Sequence, residues 1–256
     1  MTGGSLEVSK LSVRFGGLWA IADVSLSIAP GERVGLIGPN GAGKTTFVNT
    51  VSGEITPERG EVVIAGNRAT RLKPHQRFRL GLARTFQVAH PFPALSVLDA
   101  VMLGPLSKGA STERAAQAAV AALRSLDREA DASRAMRDLN PVTAKLVELA
   151  RIVASDPAVV FLDELLAGLL PTERQDVLSV LTQLSGDHGW ATVMIEHLIG
   201  DVRQFCNRVV VLDQGQVIAD GSTEVVLADP RVIEAYLGDP HTVEDHVSTR
   251  GRDGVL

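Results

Sequence analysis

"GPNGAGKT", Gly38–Thr45, is entered by the apolar run "ERVGLI" and left through "KTTFVNTVSG". It matches G-x-x-x-x-G-K-[ST] at every fixed position. A short strand before it and a helix after it are the setting that this pattern requires. Glycines let the backbone curl so that its N–H groups surround phosphate oxygens. Lys44 is then placed to reach β- and γ-phosphates, and the Thr45 hydroxyl to ligate Mg²⁺. The bland alternative, a glycine-rich turn with a chance lysine, explains neither the strand nor the helix.

"VVFLDE", 159–164, supplies the complement of such a loop. Its apolar residues bury a strand, and Asp163 emerges at the carboxyl end to hold Mg²⁺ through water. Glu164 follows at once and can polarise an attacking water. "ATVMIEH" and "RVVVLDQG" are further buried-type strands separated by helical segments, so a parallel sheet with helices on both faces is expected. "VVVLDQGQVIADG" reads as a hairpin. Upstream, "LEVSKLSVRF" and "ADVSLSI" alternate with period two and predict an antiparallel sheet, and "GEVVIAG" and "LARTFQ" are shorter strands.

From Leu95 to Arg137 strand signals vanish and alanines cluster, which marks a helical insertion. "STERAAQAAVAALRSLD" opens on a capping box led by Ser111 or Thr112. "DLNPVTAKLVELARIV", 138–153, starts another helix, with Asn140 as its cap, Pro141 in its first turn, and Leu146, Leu149, Ala150 and Val153 at helical spacing. Its N-terminus offers N–H groups and a positive dipole end to an anion. The polar, aperiodic residues 239–256 are expected to be disordered.

With 256 residues, 45% of them hydrophobic, the chain can bury a large α/β core. A net charge of −5 argues against a general nucleic-acid binder. The single cysteine, Cys206, excludes an internal disulfide and a cysteine metal cluster. No stretch is long and apolar enough to span a bilayer and no leader pattern opens the chain, so a soluble, cytoplasmic protein is expected, with any membrane role through a partner. His197 and Gln87 end "TVMIEH" and "RTFQ"; alone, neither residue identifies a site. The remaining histidines, His75, His90, His188, His241 and His246, lack metal-ligand spacing and read as solvated.

Taken in order, the loop at 38–45, "RTFQ", a helical insertion, "VVFLDE" and "IEH" resemble the ATP-binding subunit of ABC transporters over roughly residues 6–238. "VRFGGLWAIADVS", "IGPNGAGKTTFVN", "GLARTFQ" and "DPRVIEAYLG" look most like the ATPases of branched-chain amino acid importers, although lipid-export ATPases share several of them. The resemblance implies a P-loop NTPase core, a RecA-like parallel sheet with helices on both faces. To this it adds an N-terminal antiparallel β subdomain and a helical insertion at about 95–155. It implies that Phe15 stacks on adenine, and that Gly38, Pro39, Asn40, Gly41, Ala42, Gly43, Lys44, Thr45 and Thr46 bind the phosphates. Mg²⁺ falls to Thr45, Asp163 and Gln87, and catalysis to Glu164, His197 and Gln87, the last lying where the membrane subunit docks.

Family members work as head-to-tail dimers in which each ATP also faces the other subunit's signature, L-S-G-G-Q. Here that place holds Leu139, Asn140, Pro141, Val142 and Thr143. Proline removes a donor and valine adds bulk where backbone should approach phosphate. Leu165, Leu170 and Leu198 also depart from the usual residues nearby. The resemblance therefore implies an ATP-hydrolysing importer subunit for branched-chain or related hydrophobic amino acids. It would sit on the cytoplasmic face of the membrane with permease subunits, indirectly with a solute-binding protein, and without nucleic acid. The damaged signature suggests a heterodimer with one weak site. A regulatory subunit with little turnover, an ATPase for another solute or a lipid, and a soluble ATPase acting on ribosomes or DNA are the alternatives.

Overall fold

The computed structural model describes residues 5–85 and 92–237. Gln87, His90, His241, His246 and the 239–256 tail lie outside them.

Two sheets share the molecule. The first is antiparallel, in the order β2-β1-β4-β5, from β1 (Leu6–Phe15), β2 (Leu18–Ile28), β4 (Arg59–Ile64) and β5 (Asn67–Arg68). In β1, Leu6 and Val8 are buried and Glu7 and Ser9 exposed, as one covered face requires. A register shift between Val8 and Leu11, with Lys10 at φ 49, returns Leu11 to the core side and has the form of a β-bulge.

The second sheet runs β10-β9-β3-β8-β7-β6. Its members are β3 (Arg33–Ile37), β6 (Leu82–Arg84), β7 (Val159–Asp163), β8 (Ala191–Ile195), β9 (Arg208–Asp213) and β10 (Gln216–Ser222). All pairings are parallel except the β9–β10 hairpin, which turns through Gln214 and Gly215 at positive φ. Every residue of β7 and β8 is buried, the pattern of strands covered on both faces. Alternation then divides the core. Val159 and Phe161 face the antiparallel sheet with Phe47, Ile28 and Val62, whereas Val160 and Leu162 face the helical layer with Val147, Leu181 and Trp190.

Helices fill both sides: α1 (Lys44–Ser52), α2 (Pro74–Arg79), α3 (Val97–Ser107), α4 (Thr112–Arg124), α5 (Pro141–Ala154), α6 (Pro171–His188), α7 (Ile199–Phe205), α8 (Thr223–Leu227) and α9 (Pro230–Leu237). Residues 95–155, the expected helical insertion, hold α3, α4, two short 3₁₀ turns and α5. Leu82–Arg84 of "LARTFQ" is strand and Thr85 is not, while Phe86 and Gln87 lie outside the described residues. One expectation needs correction. Ser111 caps α4 by accepting the Arg114 N–H, but with arginine at that third helical position the reciprocal half of a capping box is missing. The four apolar positions read on α5, Leu146, Leu149, Ala150 and Val153, all pack on the core, and the helix buries more. Ala144, Val147 and Ile152 are buried as well as Leu149 and Ala150, because α5 is packed by α3, α4 and α6 together.

α2 also contributes the buried side chain Arg77, 1% exposed. Its Nη1 donates to the Thr50 and Val51 carbonyls at 2.6 and 2.7 Å, Nε to Leu72 O at 2.9 Å and Nη2 to Thr70 O at 2.8 Å. Burial pushes this guanidinium down to about 10. Arg77 thus donates to carbonyls in the last turn of α1, where Thr50 O also accepts the Gly53 N–H at 3.2 Å. Arg77→Ala is expected to cost about 3–5 kcal/mol, because several buried acceptors lose a charged donor at once. The thermal midpoint should fall by about 10 °C, and an unchanged midpoint by calorimetry would contradict this role.

Candidate nucleotide site

The loop at 38–45 joins β3 to α1. Gly43 precedes the helix at φ 103, and a Cβ there would lie 2.5 Å from Ala20 O. At Gly38 a Cβ would lie 2.1 Å from Leu212 O. Glycine at both places is what lets the loop lie against β2 and β9. Gly215 N–H donates to Ala42 O at 3.0 Å and so ties the loop to the β9–β10 turn. Asn40, Gly41 and Thr45 are exposed, while Gly38 and Ala42 are buried and Pro39, Gly43, Lys44 and Thr46 lie between. Lys44 Nζ donates to Pro39 O at 3.0 Å and to Gly38 O, within the loop itself. Burial lowers the Lys44 ammonium from its ordinary value, and the nearby Glu164 carboxylate opposes that shift. Phe15 ends β1 with its ring 55% exposed, free to take a flat partner.

The two neighbouring strands deliver the acidic and basic groups. Asp163 closes β7, 7% exposed, and its Oδ2 accepts from Arg84 Nη2 at 2.7 Å. Thr85 Oγ accepts the Asp163 N–H at 2.8 Å and anchors its backbone. Glu164 follows at φ 50, a left-handed conformation that costs a non-glycine residue about 1–3 kcal/mol and is held here by its N–H to Ile195 O at 3.0 Å. Its Oε1 lies 2.9 Å from Nε2 of His197, just past β8. The structure thus brings Lys44, Asp163, Glu164 and His197 to the carboxyl ends of adjacent strands. Thr45 and Asp163 offer a hydroxyl and a carboxylate, hard oxygen donors that fit Mg²⁺. Among the described residues no three His, Cys, Asp or Glu side chains form a metal cluster.

Glu196, between strand and His197, gave no signal in the sequence. It is 8% exposed and accepts the Leu166 N–H at 2.9 Å. Burial pushes its carboxyl up to about 7; the Leu166 bond pulls the other way, Asp201 and Glu164 reinforce the rise, and Arg174 opposes it. The folded chain therefore holds this proton more tightly than the unfolded one. The resulting stabilisation is full below about 4.5, the ordinary value, and is lost as pH rises through about 7. Glu196→Gln keeps the acceptor and removes the titration. It is expected to gain up to about 3 kcal/mol at pH 8 and nothing at pH 4 relative to the parent chain. Equal denaturation midpoints for the two chains at pH 8 would contradict this.

Asn140 caps α5, its Oδ1 accepting the Thr143 N–H at 2.8 Å. Leu139 and Thr143 are buried, Val142 packs against the core, and Asn140 and Pro141 are exposed. Thr143 thus faces inward. With no N–H on Pro141 and that of Thr143 taken, this end presents the Val142 N–H and the Asn140 amide nitrogen. Cys206 is buried and its thiol is pushed up to about 12 by burial, which makes it unreactive.

A cavity of about 640 Å³ opens beside the site, between α2 and β6 on one wall and α3 and α5 on the other. Glu54, Phe78, Arg84, Phe92, Leu103 and Arg151 line it. Among the described residues no helix is long and apolar enough to cross a membrane.

The family model described as ABC transporter matches residues 21–167, and the one described as branched-chain amino acid ATP-binding cassette transporter matches 216–242. The high-affinity branched-chain amino acid transport ATP-binding protein LivG of Escherichia coli is 33% identical, covering 91% of this chain and 98% of its own. BraF of Pseudomonas aeruginosa, of the same description, is 32% identical over 91% of this chain and 98% of its own. The probable LivG of Archaeoglobus fulgidus is also 32% identical, over 91% and 95%. The crystal structure of an ATP-binding cassette of an ABC transporter in its ADP conformation superposes with a TM-score of 0.83 at 28% identity, over 93% of this chain and 100% of that one. A nucleotide-free cassette gives 0.83 at 27%, over 92% and 100%. Sharing with these proteins its fold and nearly its whole length, the chain belongs to their family, the ATP-binding proteins of ABC transporters, and is an ATPase.

Proposed function

We propose that this chain energises an importer of branched-chain or related hydrophobic amino acids. The observation that carries the reading is the convergence of the Lys44 loop with the Glu164–His197 pair, 2.9 Å apart, at neighbouring strand ends. In this reading Phe15 stacks on adenine, and the loop Gly38–Thr46, through its N–H groups (Pro39 has none) and the Lys44 ammonium, binds the phosphates. Lys44 exchanges the carbonyls of Gly38 and Pro39 for phosphate oxygens. Glu164 orients the attacking water and accepts its proton, and His197 holds that carboxylate and reaches the γ-phosphate. Thr45, Asp163 and Gln87 would hold Mg²⁺, which when bound would neutralise negative charge on the phosphates.

The cavity beside Arg84 and Phe92 would receive a permease subunit and so seat the chain on the cytoplasmic face of the membrane, with the solute-binding protein engaged only through that permease. The second ATPase is a different subunit with an intact signature, because this chain's α5 presents few donors to the phosphate it would face. No nucleic acid takes part. The relatives' names supply the solute class. The test is uptake of labelled leucine, isoleucine and valine by cells lacking this chain. Uptake should be lost, return with the parent chain, and not return with Lys44→Ala; full uptake without the chain would overturn the assignment.

A further inference from the structure

Arg84 touches both the nucleotide site and the cavity. Its Nη2 holds Asp163 Oδ2 at 2.7 Å, and its Nη1 donates to Asn49 Oδ1 at 2.8 Å and Glu54 Oε1 at 3.0 Å. Asn49 belongs to α1, the helix that the Lys44 loop opens. Glu54 lines the cavity with its side chain 43% exposed, whereas that of Arg84 is 14% exposed. The buried Arg84 Nε has no hydrogen-bond partner among the described residues. One guanidinium therefore serves two carboxylates and an amide, which lie in the metal site, on the cavity wall and on α1. A planar fork fixes the orientation of what it binds, and a group that orients a metal ligand from behind sets metal affinity.

We infer that Arg84 is a positioning residue that couples the cavity to the metal-site carboxylate: it holds Asp163 for Mg²⁺, and what meets Glu54 in the cavity alters that hold. This rests on the nucleotide-site and docking readings above. An occupant that neutralises or captures Glu54 takes one partner from Arg84. The fork then re-seats against Asp163 and Asn49, and the metal ligand shifts with it. Signal thus passes through a single side chain rather than through a movement of the sheet.

The test uses the full chain loaded with ADP and Mn²⁺ as the probe, with free Mn²⁺ read by electron paramagnetic resonance. Arg84→Gln is expected to weaken Mn²⁺ binding about tenfold, the loss typical of removing an orienting partner, with Arg84→Lys in between. Glu54→Gln, outside the nucleotide site, is expected to weaken it about threefold, and to add nothing in the Arg84→Gln background. ADP affinity in chelator should stay within about twofold in all variants. Unchanged Mn²⁺ affinity in Arg84→Gln, or loss of metal-free ADP binding in that variant, would overturn the positioning role. A Glu54→Gln effect that persists without Arg84 would overturn the coupling. Failure of the parent chain to bind ADP would instead overturn the nucleotide-site reading itself.

Discussion

Replacing Lys44 with alanine is expected to weaken ATP binding by at least about tenfold. The Lys44 ammonium is partly buried, and it holds the Gly38 and Pro39 carbonyls across the curl of the loop. A phosphate that takes their place gains charge-assisted bonds worth about 1.5–3 kcal/mol each, and one such bond already amounts to about a factor of ten or more. Burial lowers the ammonium from its ordinary value, but Glu164 close by favours the charged form, and arriving phosphates favour it further. Alanine removes both the donors and the charge while Gly38 and Gly43 keep the loop's shape. Binding is measured by calorimetric titration of the chain with ATP; affinity equal to that of the parent chain would remove Lys44 from the site.

The central sheet was legible because β7, β8 and β9 are covered on both faces and therefore read as unbroken apolar runs. The loop was legible because glycine spacing and a lysine are a local pattern. α2 was not legible. "PHQRFR" is short and polar, and its one buried residue is an arginine whose acceptors are backbone carbonyls, which leave no mark in a hydrophobic pattern. The four apolar positions read on α5 do pack on the core, but they are not all that it buries. Periodicity reports one buried face, and three helices around α5 bury more than one.

Within the site, the residues at recognised motif positions were readable, Glu164 and His197 among them, but the contacts made by their neighbours were not. Arg84 stands in the quoted "RTFQ", yet its bond to Asp163 joins residues 79 apart and depends on the parallel register of Arg84 with Phe161. Glu196 sits beside His197 in "IEH", but only the fold turns it inward to the Leu166 N–H. Asn140 was read as the cap of α5 and is one. What that cap uses up, the Thr143 N–H, bears on the weak-signature reading because it reduces the donors that α5 has left.

Catalysis should therefore be unequal in the assembled pair. On the proposed reading, the site built on this chain's Lys44, Asp163, Glu164 and His197 would take its second half from the partner's intact signature and turn over. The site built on the partner's loop would face Asn140, Pro141 and Val142, bind ATP and fire rarely. Loss of one preorganised donor at a developing charge costs about 10²–10³ in rate, so the difference between the sites is of that order. The measurement is steady-state ATPase of the whole complex with the catalytic glutamate changed to glutamine in one subunit at a time. Glu164→Gln in this chain is expected to lower the rate about 10²-fold or more, and the same change in the partner to leave most of it. The reverse ranking, or equal losses from the two changes, would contradict the account.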